Sequence, residues 1–408
     1  MQPKLGSVSS QWIEQDGEPV LILQHALRLA PSAIALPQAL AVLPFFCDGT
    51  RDVSGLRASL QVRAGVRVSE EVLARVIAQM DEALLFENAR ERRARFLALE
   101  AYRAAEARMP VSAGSSYPID GDEATRFLDE LVERAGVSEA PAELPGAPPA
   151  MRAIVSPHID YQRGWRTYAH TWDVAREAVA GADLVVLLGT DHQGPAGSIT
   201  LTRQHYLTPW GTLETDSTAV DCLEAAVGAE SAFAHELHHT VEHSIELAAV
   251  WLRYVAGNGS LRILPVLCGS FAPFVEEDEP IDAHAGIAQT IEALQELSAG
   301  ARRVLYVAAV DFAHLGPAFE GMPVTQVERA TCRVADEGLL RTISAGDGPA
   351  FLAQIRAEKN QRNVCGVPPL HFLLRVLDGA RGVMPEYEQC PADEQGTSIV
   401  SIAGGWLW

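Results

Sequence analysis

The chain has 408 residues, 48% of them hydrophobic and 21% charged. That is ordinary globular composition, and the length exceeds what a single core usually needs. The net charge of −21 is unevenly spread: residues 1–110 hold 13 basic and 13 acidic side chains, which leaves 19 and 40 for the rest. So acidic a domain repels polyphosphates, and nucleic acid is excluded as its expected partner.

Two lysines, Lys4 and Lys359, stand against 30 arginines, so Schiff-base and phosphate-loop lysine chemistry has almost no candidates. The most apolar stretch, 27–46, is interrupted by Pro31, Pro37 and Pro44 and carries Arg28, which argues against a membrane span. The first residues lack the basic and apolar regions of a secretory signal, so a cytoplasmic protein is expected. Six cysteines at 47, 222, 268, 332, 365 and 390 show no CxxC spacing and read as reduced, mostly buried thiols.

Residues 1–108 read as a small first domain. Cys47-Asp48-Gly49-Thr50 is a turn signal, followed by an amphipathic helix over Val53–Leu60. Ser69 caps a second helix whose first turn holds Glu70 and Glu71. Its apolar positions Val72, Leu73, Val76, Ile77, Met80 and Leu84 keep helical spacing. A short strand over Ala83–Phe86 would complete a helix-helix-wing outline. This resembles the small winged-helix domains of the PqqD-like kind, which bind peptides, and implies a protein partner for this unit. Arg90, Arg92, Arg93 and Arg95 would serve a DNA-binding reading. A solvated helix face leading into the linker is the reading adopted.

Residues 109–150 begin with Ser112-Ala113-Gly114-Ser115-Ser116-Tyr117-Pro118. A helix is predicted over Glu123–Ala135, followed by a Pro/Ala/Gly-rich loop at 140–150. From 151 to 408 the pattern alternates strand and helix. Buried strands are predicted at Met151–Val155, Leu184–Leu188, Leu261–Leu267, Val304–Val310 and Ser398–Ala403, with helices at Glu242–Tyr254 and Ile281–Leu297. The expected fold is α/β, with a mixed, largely parallel sheet flanked by helices.

Unusual polar residues follow these strands. His158 lies in Ser156-Pro157-His158-Ile159-Asp160-Tyr161, Asp191 and His192 in Gly189-Thr190-Asp191-His192-Gln193-Gly194, and Asp311 and His314 in Val310-Asp311-Phe312-Ala313-His314. The carboxyl ends of strands in an open α/β sheet share one edge, where these loops can converge. Imidazoles and carboxylates suit iron, copper or zinc.

Three further segments bear on the chemistry. His235-Glu236-Leu237-His238-His239 matches the HExxH signature of zinc proteases, but little around it suggests a long helix. His243 heads Glu242-His243-Ser244-Ile245-Glu246. There the glutamates either answer the helix dipole or flank a histidine aimed at a pocket, and local sequence decides neither. Cys365 sits in Asn363-Val364-Cys365-Gly366-Val367-Pro368-Pro369. It is either an inert buried thiol or a thiolate ligand for a redox-active metal.

Taken in order, SPHIDYQRG, LLGTDHQG, LTRQHYLTPWGTLETD, EHSIEL, ILPVLCGSF, VDFAHLGPAF and NVCG resemble the Memo family, in its AmmeMemoRadiSam system protein B branch. With AGSSYP at the start, the likeness covers residues 112–408. It implies a fold similar to the class III, LigB-type extradiol dioxygenases, with a metal pocket at the sheet edge. Matched by motif, the implied metal ligands are His158, His192 and Cys365, and the implied catalytic groups are His243, Asp311 and His314. Iron(II) is the expected metal, with copper or zinc as alternatives. Two departures from the animal members put Asp160 where a glycine follows PHA and GTDHQ where they have GPSHH, so Asp160 and Asp191 are expected to add carboxylate character.

The resulting expectation is a dioxygenase-like oxidoreductase acting on a small molecule or peptide. The alternatives are a non-catalytic module holding a peptide or metal in the same pocket, and a zinc protease working through His235 and His239.

Overall fold

The computed structural model describes residues 2–136, 150–257, 259–277 and 279–408. All but the last residue of the loop expected at 140–150 lies outside them. The chain divides into two units, Met1–Ala104 and Ala105–Trp408.

In the smaller unit, β1 (Val8–Gln15), β2 (Glu18–His25) and β3 (Ile34–Pro37) form an antiparallel sheet in that order. Helices follow at Val53–Ala64, Glu70–Glu82 and Ala89–Ala104. As expected, Ser69 caps the second, its Oγ accepting from the Val72 amide at 3.2 Å. Leu23, Leu36, Leu56, Leu60, Leu73, Ile77 and Met80 form the core. The strand expected at Ala83–Phe86 is reduced to one bridge, Phe86 to Leu5, because Leu84 adopts φ 61° and turns the chain. Of the four arginines weighed for DNA binding, Arg90 pairs with Asp81 and Arg95 with Glu91, which neutralises half of that basic face.

The larger unit is built on a sheet whose strands are β4 (Ala107–Arg108), β5 (Ala153–Ser156), β6 (Leu184–Thr190), β7 (Ile199–Leu201), β8 (His205–Thr208), β9 (Gly211–Thr215), β10 (Arg262–Cys268), β11 (Val304–Ala309), β12 (His314–Leu315), β13 (Gly382–Pro391) and β14 (Ile399–Leu407). Its order is β12-β14-β5-β11-β6-β10-β9-β8-β4, with β13 paired to β14 and β7 to β10. The central β5, β11, β6 and β10 run parallel, while β14 joins β5 antiparallel. The run expected at Ser398–Ala403 thus continues to Leu407 and joins β12 and β13 to the parallel strands.

Central strands of this kind are apolar on both faces because both faces are covered. Val186, Leu188, Leu264, Val266, Tyr306 and Ala308 enter one core. Their neighbours Val185, Leu187, Ile263, Leu305 and Val307 enter the other. The alternation follows from side chains pointing to opposite faces every second residue. The first face packs against Ala285–Ala299, Gly348–Ala357 and Val367–Val376, and the second against Tyr161–Val174 and Ser244–Ala256.

Ala107 and Arg108 belong to this unit because β4 pairs with β8 and Arg108 is buried against Glu246. Among the described residues, no helix is long and apolar enough to cross a membrane.

Candidate metal centre

Because β5, β11 and β6 lie side by side and parallel, their carboxyl ends deliver three loops to one point. His158 stands two residues past β5. Its Nδ1 lies 3.0 Å from the Ala309 carbonyl at the end of β11, an acceptor that requires the proton on Nδ1. In the neutral ring Nε2 then carries the lone pair, and it faces the Cys365 sulfur at 3.3 Å. Asp311 Oδ1 accepts from the backbone amides of His158 and Ile159 at 2.9 and 3.2 Å, which pins this loop to β11.

His192, just past β6, is held by Glu242. Oε2 of that carboxylate accepts from the His192 amide at 3.1 Å and sits 2.9 Å from Nδ1. Oε1 meanwhile accepts from the amides of His243 and Ser244 at 2.8 and 2.9 Å. Glu242 thus binds the first amides of the helix Ser244–Ala256 and holds His192 with the same side chain, a second contact that its own segment does not announce.

Cys365 is carried by a turn pressed onto the end of β11. Its carbonyl accepts from Thr190 Oγ1 at 3.2 Å, and the next amide, Gly366, donates to the Asp311 carbonyl at 3.1 Å. A Cβ on Gly366 would stand 2.6 Å from Val310 Cβ, so this close approach requires glycine. Ligand atoms of His158, His192 and Cys365 lie within 4.8 Å of one another.

The electrostatics of the cluster favour added positive charge. Burial alone would raise the Cys365 thiol, but the imidazoles of His158 and His314, with hydrogen bonds from His158 and His192, bring it down to about 5. Burial opposes charging of His158, yet Asp311 and the sulfur raise it to about 9. His192 is raised well above its ordinary value against burial, mainly by Glu242. His243 behaves oppositely: burial, reinforced by the charges of His158 and His192, lowers it to about 4. A thiolate ringed by imidazoles that readily hold protons is also a donor set in which a cation can replace those protons.

The remaining expected residues surround this cluster. The His243 ring stacks on His192 at 5.3 Å and meets His158 edge-on at 5.4 Å. His314 Nδ1 lies 3.0 and 3.1 Å from the carbonyls of Phe312 and Asn363, and its ring stands edge-on to Phe319. His158, His192, His243, Asp311, His314 and Cys365 all line one cavity of about 730 Å³, whose apolar wall includes Ile159, Leu247, Phe319 and Val400.

Three expectations need correction. Asp191 bonds His238, with oxygens 2.8 and 3.0 Å from Nδ1. Asp160 caps the helix Tyr161–Val174 and pairs with Arg163. Both are committed to neighbouring side chains or a helix end, and the carboxylates that reach histidines of the cluster are Glu242, on His192, and Asp311, whose Oδ2 stands 3.7 Å from His158 Nε2. The HExxH segment forms a 3₁₀ turn at Glu236–Thr240. Three residues per turn put positions four apart about 120° round the axis, where an α-helix would keep them on one face. His239 is buried with Nδ1 on Tyr206 Oη at 2.7 Å and Nε2 on the Thr200 carbonyl at 3.1 Å, and Glu236 accepts from Thr202. Among the described residues, no cluster of metal-ligating atoms includes His235 or His239.

Fold and site together define an α/β protein with a histidine–cysteine cluster at the carboxyl edge of a largely parallel sheet. The model of the Memo-like protein family matches residues 108–406, and the chain belongs to the Memo family. It is 27% identical to a MEMO1 family protein of Methanosarcina acetivorans over 285 residues, 69% of this chain and 91% of that one. Identity to a MEMO1 family protein of Aquifex aeolicus is 26% over 309 residues, 73% and 72% of the two chains. With one from Thermococcus onnurineus it is 32% over 220 residues, 53% and 68%.

Proposed function

We propose that the larger unit is a metal-dependent redox enzyme of dioxygenase-like type, taking iron(II), or alternatively copper, on His158 Nε2, His192 Nε2 and Cys365 Sγ. The observation that carries this reading is the meeting of two imidazoles and one thiol, within 4.8 Å of one another, beside an open cavity. The donors fit such an ion. Bonds of about 2.1 Å to nitrogen and about 2.3 Å to sulfur put neighbouring ligands roughly 3–3.7 Å apart, and Cys365 Sγ stands 3.3 Å from His158 Nε2. Oxygen partners on the far nitrogens, Ala309 and Glu242, fix both tautomers. Three protein donors leave further positions for substrate, and the bound ion would supply redox and Lewis-acid chemistry there.

The surrounding residues then divide the remaining work. His243, kept neutral by burial, offers a ring nitrogen to hold or pass a proton. His314 has its Nδ1 proton tied to two carbonyls, so its Nε2 accepts. Asp311 keeps the His158 loop in register. Ile159, Leu247, Phe319 and Val400 give a small organic substrate an apolar wall and exclude water.

Protein purified anaerobically from metal-replete cells is expected to carry one iron or copper per chain and to consume oxygen when its substrate is supplied. A preparation empty of both metals would overturn the reading. Stoichiometric metal with no oxygen uptake across a broad substrate panel would leave a binding module instead. Glu242→Gln sets an amide nitrogen or a misplaced oxygen against His192 Nδ1, and a competition titration should read an affinity for iron(II) or copper(I) about 10–100-fold weaker.

A further inference from the structure

The His192–Cys365 pair is reached from two sides. Adjoining the cavity of about 730 Å³ is a second one of about 230 Å³, lined by Thr190, Cys268, Phe271, Val275, Val364 and Val367 among others. His192, Asn363 and Cys365 line both, so these three side chains form the partition. His192, Ser270, Glu276 and Asn363 are the exposed residues of the smaller lining, and Ser270 and Glu276, which the larger cavity does not share, mark the side that opens to solvent. Asp191 and Glu276 also line it, and it has no lysine or arginine in its wall, so anions are disfavoured. With a third of the volume it takes a smaller molecule than its neighbour, and with no cationic side chain to pair an anion it suits a neutral one.

We infer that the smaller cavity is a separate access route by which a small neutral molecule, of the size of dioxygen or hydrogen peroxide, reaches the Cys365 sulfur and His192 while the larger cavity holds the organic substrate. The use of this route rests on the proposed metal centre, but the route itself belongs to the protein and can be measured without metal. Failure of one is therefore distinguishable from failure of the other.

The test follows thiol modification of metal-free protein by peptide mass spectrometry, with Cys365→Ser as the blank. Ala318→Trp narrows the larger cavity, where Ala318 is an exposed lining residue. Ala272→Trp narrows the smaller one, and Ser270→Trp on its rim serves if that variant does not fold. Ala318→Trp is expected to slow a bulky neutral pyrenyl maleimide about tenfold and to leave methyl methanethiosulfonate nearly unchanged. Adding Ala272→Trp should then slow the small reagent about tenfold as well. In the Ala318→Trp background, the anionic sulfonatoethyl analogue should react more slowly than the methyl reagent. Equal slowing of both neutral reagents by Ala318→Trp alone, or no added effect of the second plug, overturns the separate route. Equal rates for the neutral and anionic small reagents overturn its selectivity.

Discussion

Cys365→Ser is expected to abolish iron and copper retention while leaving the fold intact. The backbone of Cys365 is held independently of its sulfur, by Thr190 on its carbonyl and by the Gly366 amide on Asp311. Exchanging sulfur for oxygen at a half-buried position should therefore change stability by no more than about 1 kcal/mol. Metal affinity should fall by more than about 100-fold, beyond the range seen for outer-sphere partners, because a serine hydroxyl keeps its proton where the thiol, brought down to about 5, has lost it at neutral pH.

The pH dependence follows from the same charges. In the native protein a metal ion must displace the proton of His158, whose pKa is raised to about 9. His192, also raised well above its ordinary value, must give up its proton too, so affinity should climb with pH through neutrality and level off no lower than that value. Removing the thiolate removes one of the two charges that raise His158, so the variant's residual affinity should level off at lower pH. Competition titrations from acid to alkaline pH read both effects, and thermal melts check the fold. A Cys365→Ser protein that binds iron or copper as tightly as the native chain would show that the sulfur is not a ligand.

How far the sequence revealed this arrangement depended on whether each feature was local. The strands β5, β6, β10 and β11 were legible as short apolar runs, since each is buried on both faces. The histidines at their ends were legible for the same reason: a polar residue just past a buried strand has to lie at the sheet edge. Glu242 was half legible. Its capping oxygen answers to its own helix, but the oxygen that orients His192 acts across fifty residues, and no local spacing encodes that. HExxH is discounted by its own surroundings, since the motif presumes an α-helix that Ala232-Phe233-Ala234 does not extend, and the segment folds as a 3₁₀ turn. The antiparallel sheet of the smaller unit escaped because β1 is solvent-facing and shows no alternation of apolar and polar residues. Its signs were the apolar run 20–23 in β2 and Asp16-Gly17, whose φ values of 54° and 80° make the two-residue hairpin that the Asp-Gly pair favours.

Arg108→Met is expected to destabilise the larger unit severely, costing about 3–5 kcal/mol. Arg108 and Glu246 form an ion pair with side chains 1% and 2% exposed. The guanidinium also donates to the carbonyls of His239 and Glu242, each at 2.6 Å. Glu246 in turn accepts from the amides of Val111 and Ser112, both at 2.8 Å, and from Tyr117 Oη at 2.7 Å. This pair is the fastening between the start of the larger unit and the helix that carries Glu242 at its head.

Taking the arginine away leaves a carboxylate buried without its counter-charge and two carbonyls without donors, the combination in which a broken buried pair costs most. A melting temperature lower by roughly 10 °C is expected. The second substitution Glu246→Gln tests the cause. A glutamine keeps an acceptor oxygen for the 111–117 segment but carries no charge, so the double variant should regain part of the loss if uncompensated charge dominates it. Recovery is bounded, since the carbonyls of His239 and Glu242 stay without their donor. If the double variant melts below Arg108→Met, hydrogen bonding rather than charge holds this junction.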